Sequence, residues 1–421
     1  MNILILNAHW NNRGDEAAIR AMIDSIREKM EVDKMSIMLL SNDRRFFPYH
    51  DIELVDPFPT YTQGRIVSKL LFLGDSLAML LSGGRYALTK QGREYLRTLD
   101  GTDFVIHAPG GPSIGDLYSG PFGIFELTYL IRLWISIIKN KPVFFYAPSM
   151  GPFTGVRNIL RKYVLRKSIG IIVREEISQK NLSEQLGLNA IVTIDSALQN
   201  EVHESDLQNI EQIGEIISKL TNKKVIGMTI TDLRWHPIYK TNANLQERIR
   251  TEITHTIDYL TDNGYEILLI PQLFGSQDDM TLLEYFKEKA RNNGEVSILP
   301  QFIDAYGQQY IISHLYCVIG MRYHPTIFAA KGRVPAIAIS YEHKTKGFMD
   351  KLGRLDSLIP VEDIDSERII EKFKYIEENY DFIRDHLFNR VPKLIEISQK
   401  TTEILIKTQL GETHERGAVK D

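Results

Sequence analysis

Arg322 and His324 lie two residues apart, after the apolar run Cys317–Ile319 and before the helix-like run Thr326–Lys331. Pro325 suits the first turn of a helix, so both side chains are expected at a helix amino terminus. Free N–H groups and the helix dipole favour an anion there, and a guanidinium adds bidentate hydrogen bonds. The pattern predicts a phosphate or carboxylate site in which His324 transfers protons near neutral pH. The alternative is a structural arginine beside a hydrogen-bonded core histidine.

Two further cations follow strand-like runs. Arg174 comes directly after Ile169–Val173, and Lys344 lies in the polar segment after Ala336–Ile339. Each would add positive charge at the carboxyl end of a strand, where α/β sheets bind ligands. Taken singly, each is more often a solvated surface charge.

The polar loop that follows the first strand contains Asp15, at the start of a helical segment. A carboxylate there can cap the helix and oppose its dipole. It can also hold a polyhydroxylated ligand, because carboxylates accept several directed hydrogen bonds. The loop lacks the G-x-G-x-x-G pattern of a dinucleotide site.

A second loop, Ala108–Asp116, follows the strand-like run Asp103–His107. The paired glycines Gly110 and Gly111 allow close backbone approach to a ligand. The stretch Gly111–Gly115 matches the G-x-S-x-G pattern of serine hydrolases, with Ser113 as the serine. That pattern needs a sharp strand-to-helix turn. Pro112 and the later glycines disfavour such a turn, so we do not expect a hydrolase.

Composition narrows the classes of function. The net charge of −4 over 421 residues lacks the basic character of nucleic-acid-binding domains. The single cysteine, Cys317, excludes a disulfide framework and a cysteine-cluster metal site. The histidines are scattered, with no H-E-x-x-H motif, and the neighbours Asp278 and Asp279 are not expected to chelate together. No metal is therefore expected.

Strand-like and amphipathic segments alternate along the chain, which indicates parallel sheets covered on both faces. Six strand-like runs lie between Asn2 and Thr193, and five more between Val225 and Ile339. The predicted fold class is α/β, with two doubly wound, Rossmann-like domains facing a cleft and a helical carboxy-terminal segment. The expected divisions are an amino-terminal domain at 1–200, a linker at 199–206, a second domain at 207–365, helices at 366–410 and a frayed tail at 411–421.

The most apolar segment, Ile66–Leu81, is too short to cross a bilayer and shows helical spacing of its apolar residues. We expect an amphipathic helix packed on the core. Docking on a membrane surface is the alternative, because Arg65, Lys69 and Arg85 flank the segment. The amino terminus lacks the features of a signal peptide, so a cytoplasmic protein is expected, with peripheral attachment to the inner face of the cell membrane as a variant.

Several motifs, in order, make the chain resemble the polysaccharide pyruvyl transferase family over about 340 residues. The most specific is Gly320-Met321-Arg322-Tyr323-His324. The others are Asn12-Arg13-Gly14-Asp15-Glu16, Pro109-Gly110-Gly111, Ala147–Pro152, Val173-Arg174-Glu175 with Ser178, Ile194–Ala197, Phe328-Ala329-Ala330, Val334-Pro335, and Tyr341 with Lys344, Gly347 and Phe348. Two positions depart from the family pattern: Pro112 follows Gly110-Gly111 where a third glycine is usual, and Ser196 follows Asp195 where a proline is usual.

The resemblance implies a fold similar to the GT-B glycosyltransferases. It also implies transfer of a pyruvyl group from phosphoenolpyruvate to a sugar of a polysaccharide, capsule or cell-envelope precursor, which is free or lipid-linked. The product is a cyclic ketal, and neither a metal nor another cofactor is implied. The residues expected at the donor are Arg174, Arg322, His324 and, less directly, Lys344, with His324 as the general acid. Those expected at the acceptor are Asp15, Gly110, Gly111, Ser113 and Asp116.

Two other functions fit the same outline. A glycosyltransferase that uses a nucleotide sugar shares the two-domain fold, although the sequence offers no identifiable pocket for a base or a ribose. A non-catalytic carbohydrate-binding protein could keep the fold without consuming phosphoenolpyruvate.

Overall fold

The computed structural model describes residues 1–40, 44, 47–58, 66–117, 119–120, 123–220, 223–274 and 278–409. The predicted frayed tail, 411–421, lies outside these residues, as does Arg65. The chain forms two compact units. The first comprises Met1–Trp10, Ala18–Ser196 and the residues from Ile397 onward, and the second comprises Asn11–Ala17 and Ala197–Glu396. The boundary thus falls at Ser196, slightly before the linker expected at 199–206.

The first unit contains a seven-stranded parallel sheet in the order β3-β2-β1-β4-β6-β8-β9 and a small two-stranded sheet, β5-β7. Its strands are β1 Asn2–Ala8, β2 Lys34–Leu39, β3 Glu53–Val55, β4 Phe104–His107, β5 Gly110–Ile114, β6 Val143–Phe145, β7 Pro148–Met150, β8 Gly170–Val173 and β9 Ile191–Val192. Helices α1 Arg13–Lys29, α2 Ile66–Leu81, α3 Lys90–Asp100, α4 Ile124–Ile138, α5 Asn158–Lys167 and α6 Glu176–Asn181 follow in sequence.

The second unit contains a six-stranded parallel sheet in the order β12-β11-β10-β13-β14-β15. Its strands are β10 Val225–Thr229, β11 Glu266–Leu269, β12 Val296–Ile298, β13 Cys317–Gly320, β14 Ala336–Ser340 and β15 Leu358–Pro360. Its helices are α7 Ile210–Leu220, α8 Ala243–Asp262, α9 Met280–Lys289, α10 Ala305–Ile312, α11 Tyr323–Lys331, α12 His343–Leu352 and α13 Ser366–Glu378. The final helix, α14 Tyr380–Gln409, continues into the part of the chain that belongs to the first unit.

The predicted α/β class with two doubly wound parallel sheets and a helical carboxy terminus is confirmed. All eleven predicted strands are present, with ends shifted by one or two residues. Four short strands, β3, β5, β7 and β15, were not predicted. The buried strands are nearly continuous apolar runs, as expected where helices cover both faces of a sheet.

Helix α2 has the predicted bounds, Ile66–Leu81, and packs on the core as expected, but it does so through Phe72 and Met79 and not through most of the leucines at the predicted spacing. Leu70, Leu73 and Leu77 are exposed, whereas Phe72 and Met79 on the opposite face are buried. No helix within the described residues is both long enough and apolar enough to span a bilayer.

Candidate functional site

The candidate site lies at the carboxyl ends of β10 and β13, which are neighbouring parallel strands in the second sheet. The chain continues from β10 towards β11 on one side and from β13 towards β14 on the other. Loops leaving such a pair diverge and open a crevice, which is the usual ligand position in doubly wound sheets. Trp235 follows β10, and Arg322 and His324 follow β13. The sheet topology therefore places this predicted pair of residues at the switch point of the second unit.

Arg322 is the residue immediately before α11 and is buried. Its Nη2 donates a hydrogen bond to Oδ1 of Asp279 at 2.8 Å, and its guanidinium lies 5.5 Å from the ring centre of Trp235. Its buried Nε has no hydrogen-bond partner among the described residues. Burial alone would lower the pKa of Arg322, but the negative charge of Asp279 holds that pKa above its usual value. Arg322 is thus a fixed cation with an N–H group to spare.

Asp279 orients this arginine, a role that the sequence did not reveal. Its Oδ2 accepts hydrogen bonds from the backbone N–H groups of Gln272 and Leu273, both at 2.9 Å. The carboxylate is therefore anchored to the loop that follows β11. Asp279 is 43 residues from Arg322 in the chain, so no local pattern links the two residues. The only local indication of a functional role for Asp279 was its position in a loop after a strand.

His324 lies in the first turn of α11 and packs against the first turn of α1. A β-carbon built on Gly14 would lie only 1.8 Å from Nδ1 of His324. The imidazole therefore rests directly on the backbone of residue 14, where only glycine fits. Two motifs separated by about 300 residues meet here within the second unit. Asp15, next to Gly14, is part of the same helix turn and half-buried.

Arg13 and Glu16 fix the start of α1 to the second unit. Arg13 is buried, donates to Glu16 at 2.5 Å and to the Gln301 carbonyl at 2.7 Å, and lies 4.2 Å from the ring centre of Phe274. Glu16 in turn accepts a hydrogen bond from the first N–H of α10, at Ala305. The Asn12–Glu16 motif thus has a structural task, which is to hold Gly14 against His324.

Lys344 lies in the first turn of α12, after β14, which neighbours β13. Its Nζ is 2.5 Å from Oε2 of Glu342 and 5.7 Å from the ring centre of Tyr323. Tyr323 contacts His324, with ring centres 5.0 Å apart. The other oxygen of Glu342 lies 3.6 Å from Nε2 of the buried His236. Arg322, His324 and Lys344 therefore belong to one cluster of contacting side chains.

Arg174 belongs to the first unit, where it is buried in a dense network. Its Nε lies 2.7 Å from Ser149 Oγ and 3.3 Å from Glu175, and its Nη1 pairs with Asp195. Ser178 donates to Glu175 and accepts from a backbone N–H. Three motifs quoted for the family resemblance thus meet around one guanidinium. Its charge is balanced by two carboxylates, which suits a structural role, and its place at the donor stays a prediction.

The acceptor candidates other than Asp15 also belong to the first unit. Gly110, Gly111 and Ser113 lie on β5, a strand, so Ser113 does not occupy a nucleophile turn between strand and helix. Asp116 accepts hydrogen bonds from Arg157 and Arg161, each at 2.6 Å. Partial burial opposes ionisation, but hydrogen bonds from Arg161 and Thr154 hold the pKa of Asp116 below its usual value. Contact of these residues with a sugar stays a prediction.

The switch point of the first unit, between β1 and β4, holds a buried trio that sequence reasoning missed. Arg132 donates to Oδ1 of Asn7 at 2.9 Å, and Nδ2 of Asn7 lies 3.1 Å from Nδ1 of His107. Burial lowers the pKa of His107 to about 3 and that of Arg132 to about 10. The amide of Asn7 donates to the ring nitrogen, so His107 is neutral.

Neither unit offers an evident metal centre within the described residues, since no three His, Cys, Asp or Glu side chains are grouped to hold an ion. Cys317, at the start of β13, is buried, and burial raises the pKa of its thiol to about 12. A thiol in that environment is unreactive.

Solved structures with similar folds include UDP-GlcNAc 2-epimerases and a glycosyltransferase. The UDP-GlcNAc 2-epimerase from Neisseria meningitidis bound to UDP-GlcNAc has a TM-score of 0.61 at 13% identity, covering 98% of this chain and 100% of that one. A glycosyltransferase from Rickettsia africae has a TM-score of 0.59 at 11% identity, covering 98% and 99%. At such identities the likeness shows the fold alone, which is GT-B-like as expected.

Sequence comparison is more specific. A curated relative, the amylovoran biosynthesis protein AmsJ of Erwinia amylovora, is 24% identical over 429 residues, which cover 97% of this chain and 100% of AmsJ. The family model for polysaccharide pyruvyl transferase matches residues 12–343, a range that begins at the α1 motif and includes Arg322 and His324. The chain therefore belongs to the polysaccharide pyruvyl transferase family, whose members are transferases of polysaccharide biosynthesis.

Proposed function

We propose that this protein transfers the pyruvyl group of phosphoenolpyruvate to two hydroxyl groups of one sugar, in a polysaccharide or its lipid-linked precursor. The reaction forms a pyruvate ketal and releases phosphate. Family membership supports the reaction class, and the cluster around Arg322 supports the donor.

The observation that carries the donor is the spare N–H of Arg322 beside the start of α11. Phosphoenolpyruvate has a phosphate and a carboxylate, and it needs fixed hydrogen-bond donors for both. The buried Nε of Arg322 has no partner among the described residues. The first turn of α11 adds backbone N–H groups and the positive end of the helix dipole. Lys344 adds a second cation on the adjacent strand end.

In the proposed reaction, His324 donates a proton to the methylene carbon of phosphoenolpyruvate. The neighbouring carbon becomes electrophilic, and a sugar hydroxyl attacks it. Phosphate then leaves with its bonding electron pair, and a second hydroxyl closes the ketal ring. Of the two protons that the hydroxyls lose, one returns to His324 and the other leaves with the phosphate. Arg322 holds the donor anion and stabilises the negative charge that develops on the departing phosphate. No further reactant is needed.

For the acceptor, we keep Asp15 and the strand β5 segment with Asp116 as the candidates. Asp15 adjoins Gly14 in the chain, and the backbone of Gly14 supports His324, so Asp15 is one residue away from the contact with the proton donor. Asp116 is held by Arg157 and Arg161, and we therefore expect it to shape the β5 loop more than to bind sugar.

A nucleotide-sugar glycosyltransferase is the second candidate, and one observation favours it. Trp235 is an exposed indole at the switch point of the second unit, which is an aromatic surface on which a base could stack. Arg322 already lies against that ring at 5.5 Å. Uridine diphosphate and guanosine diphosphate are therefore included in the test.

The deciding experiment measures thermal unfolding of the full chain with phosphoenolpyruvate, phosphate, uridine diphosphate or guanosine diphosphate. Arg322→Gln is the test variant, and Arg368→Gln, an exposed arginine on α13, is its control. A ligand at 100 times its dissociation constant adds about 2.7 kcal/mol, which shifts Tm by a few degrees. We expect a shift with phosphoenolpyruvate that phosphate does not match, that Arg322→Gln loses and that Arg368→Gln keeps. A shift in Tm with a nucleotide diphosphate alone would contradict phosphoenolpyruvate as the donor and would indicate a nucleotide sugar in its place.

Turnover then tests the proton donor. With a sugar acceptor that supports phosphate release by the unmodified chain, His324→Ala should lower kcat by about 10² to 10⁴. His255→Ala, an exposed histidine on α8, should leave kcat unchanged. Full turnover by His324→Ala would remove His324 from the chemistry.

A further inference from the structure

Helix α2 presents an apolar stripe to solvent. Leu70, Leu73, Leu77 and Leu81 are 63%, 48%, 56% and 79% exposed and recur every three or four residues, so they form one stripe. The opposite face, which is buried, includes the polar residues Asp75 and Ser76. Helix α2 thus packs on the core through Phe72 and Met79, and a second apolar stripe faces solvent where a surface helix is usually polar.

Asp75 explains why the helix cannot turn its leucines inward. Its carboxylate accepts hydrogen bonds from the backbone N–H groups of Leu88 and Thr89 and from the Thr89 hydroxyl, just before α3 begins. Gly92 of α3 packs so tightly that a β-carbon would lie 2.3 Å from Asp75. Rotating α2 would leave these groups unpaired, so the outward stripe is built into the fold.

Helix α5 carries a second exposed apolar stripe with basic residues around it. Ile159 and Tyr163 on α5 and Val156 in the turn before it are exposed, and Arg166 and Lys167 end the helix. The chain from Pro152 to Ile172 contains no acidic residue. An apolar stripe bordered by cations is typical of helices that lie on anionic membranes.

The two stripes belong to one layer of the first unit. Helix α4 packs against both α2 and α5, and its Trp134 contacts Tyr163 with ring centres 5.6 Å apart. In the chain, α2 precedes β4, α4 precedes β6 and α5 precedes β8, which are three neighbouring strands of the sheet. The exposed leucines and the basic end of α5 are therefore parts of the same helical layer.

We propose that the α2–α5 face, defined by Leu70, Leu73, Leu77 and Leu81 of α2 with Val156, Ile159, Arg166 and Lys167 on or beside α5, docks onto a lipid bilayer with anionic headgroups. The leucines enter the boundary between headgroups and acyl chains, and the basic residues meet lipid phosphates. The proposal does not rest on pyruvyl transfer, although it suits an enzyme whose acceptor is lipid-linked.

Charge favours a bilayer over a second copy of this chain. A twofold dimer through this face would place the same surface of both copies together, and the acid-free, basic α5 segment would then face like charge. An anionic membrane offers the opposite charge and an apolar interior together.

The test is flotation of the purified full chain with vesicles of phosphatidylethanolamine and phosphatidylglycerol, compared with phosphatidylcholine vesicles. Leu73→Asn/Leu77→Asn should weaken binding about tenfold or more, since two leucines no longer leave water. Ile238→Asn, an exposed apolar residue of the second unit, is the control. Arg166→Ala/Lys167→Ala should abolish the preference for anionic vesicles. Lys287→Ala/Lys289→Ala, the matching pair at the end of α9, should not.

Two results would overturn the proposal. One is equal flotation of the leucine variant and the unmodified chain, or no flotation of either. The other is an unmodified chain that is dimeric and stays off vesicles, with the leucine variant monomeric, which would make the face an interface between copies. The unmodified chain and Leu73→Asn/Leu77→Asn should show the same thermal shift with phosphoenolpyruvate. Failure of the membrane proposal therefore leaves the donor proposal intact.

Discussion

The backbone of Gly14 supports the imidazole of His324. A β-carbon on residue 14 would fall 1.8 Å from Nδ1, 2.1 Å from Cγ and 2.6 Å from Cβ of that histidine. The first turn of α1 and the first turn of α11 are thereby joined in the second unit, and the position of the candidate proton donor depends on the absence of a side chain at residue 14.

Gly14→Ala should displace His324 and lower kcat to nearly the level of His324→Ala, about 10² to 10⁴ below the unmodified chain. A shift of a few tenths of an ångström would not relieve the contact between the added carbon and His324, so the imidazole ring must move. Gly214→Ala on α7 is the matched control, because nothing lies within 4 Å of its β-carbon and alanine is the better helix former. The measurement is phosphate release. Turnover unchanged in Gly14→Ala would show that the ring position is not needed.

The Arg322–Asp279 pair should be strongly coupled. Arg322→Gln and Asp279→Asn each leave a buried partner without its counter-charge, and each should lower the free energy of unfolding by about 3–5 kcal/mol. The double variant removes both charges and should lose much less than the sum. Urea unfolding of the four proteins measures this cycle. Additive losses would mean that the two groups do not stabilise each other.

Arg174→Met should destabilise the protein, because it leaves Asp195 and Glu175 buried together without a cation. We expect a loss of about 3–5 kcal/mol, seen as a lower Tm. Arg97→Met, an exposed position on α3, should change Tm little. The opposite pattern, an unchanged Tm with loss of the phosphoenolpyruvate shift, would assign Arg174 to the donor and contradict the structural role.

His107 should make the fold sensitive to acid. Burial lowers its pKa from 6.5 to about 3, so the unfolded chain binds a proton that the folded chain rejects. The stability from neutral His107 is complete above pH 6.5 and falls by up to about 1.4 kcal/mol per pH unit as the pH drops towards 3. His107→Gln should reduce this slope, whereas His255→Gln on the surface should not. Urea unfolding across that range measures it, and identical slopes would contradict a neutral, buried His107.

Local pattern was enough to predict most of the fold. Parallel strands covered on both faces need continuous apolar runs, so β1, β4, β10 and β13 stand out by composition alone. The strands that were missed are short or atypical. β3, β7 and β15 have three residues each, and β5 and β7 contain glycine or proline, so their pairing depends on neighbours that are distant in the chain.

For the site, the sequence itself determined that Arg322 and His324 begin a helix after a buried strand, since Pro325 and the apolar run fix that local geometry. Only the tertiary structure decided what surrounds them. Asp279 and Lys344 reach the same edge because the parallel strands of the second sheet end together there, and Gly14 reaches it because Asn11–Ala17 belongs to the second unit. No local signal encodes either relationship. Tertiary contacts also decided the face of α2. Helical spacing shows that leucines share a side, but the hydrogen bonds from Leu88 and Thr89 to Asp75 determine which side is buried.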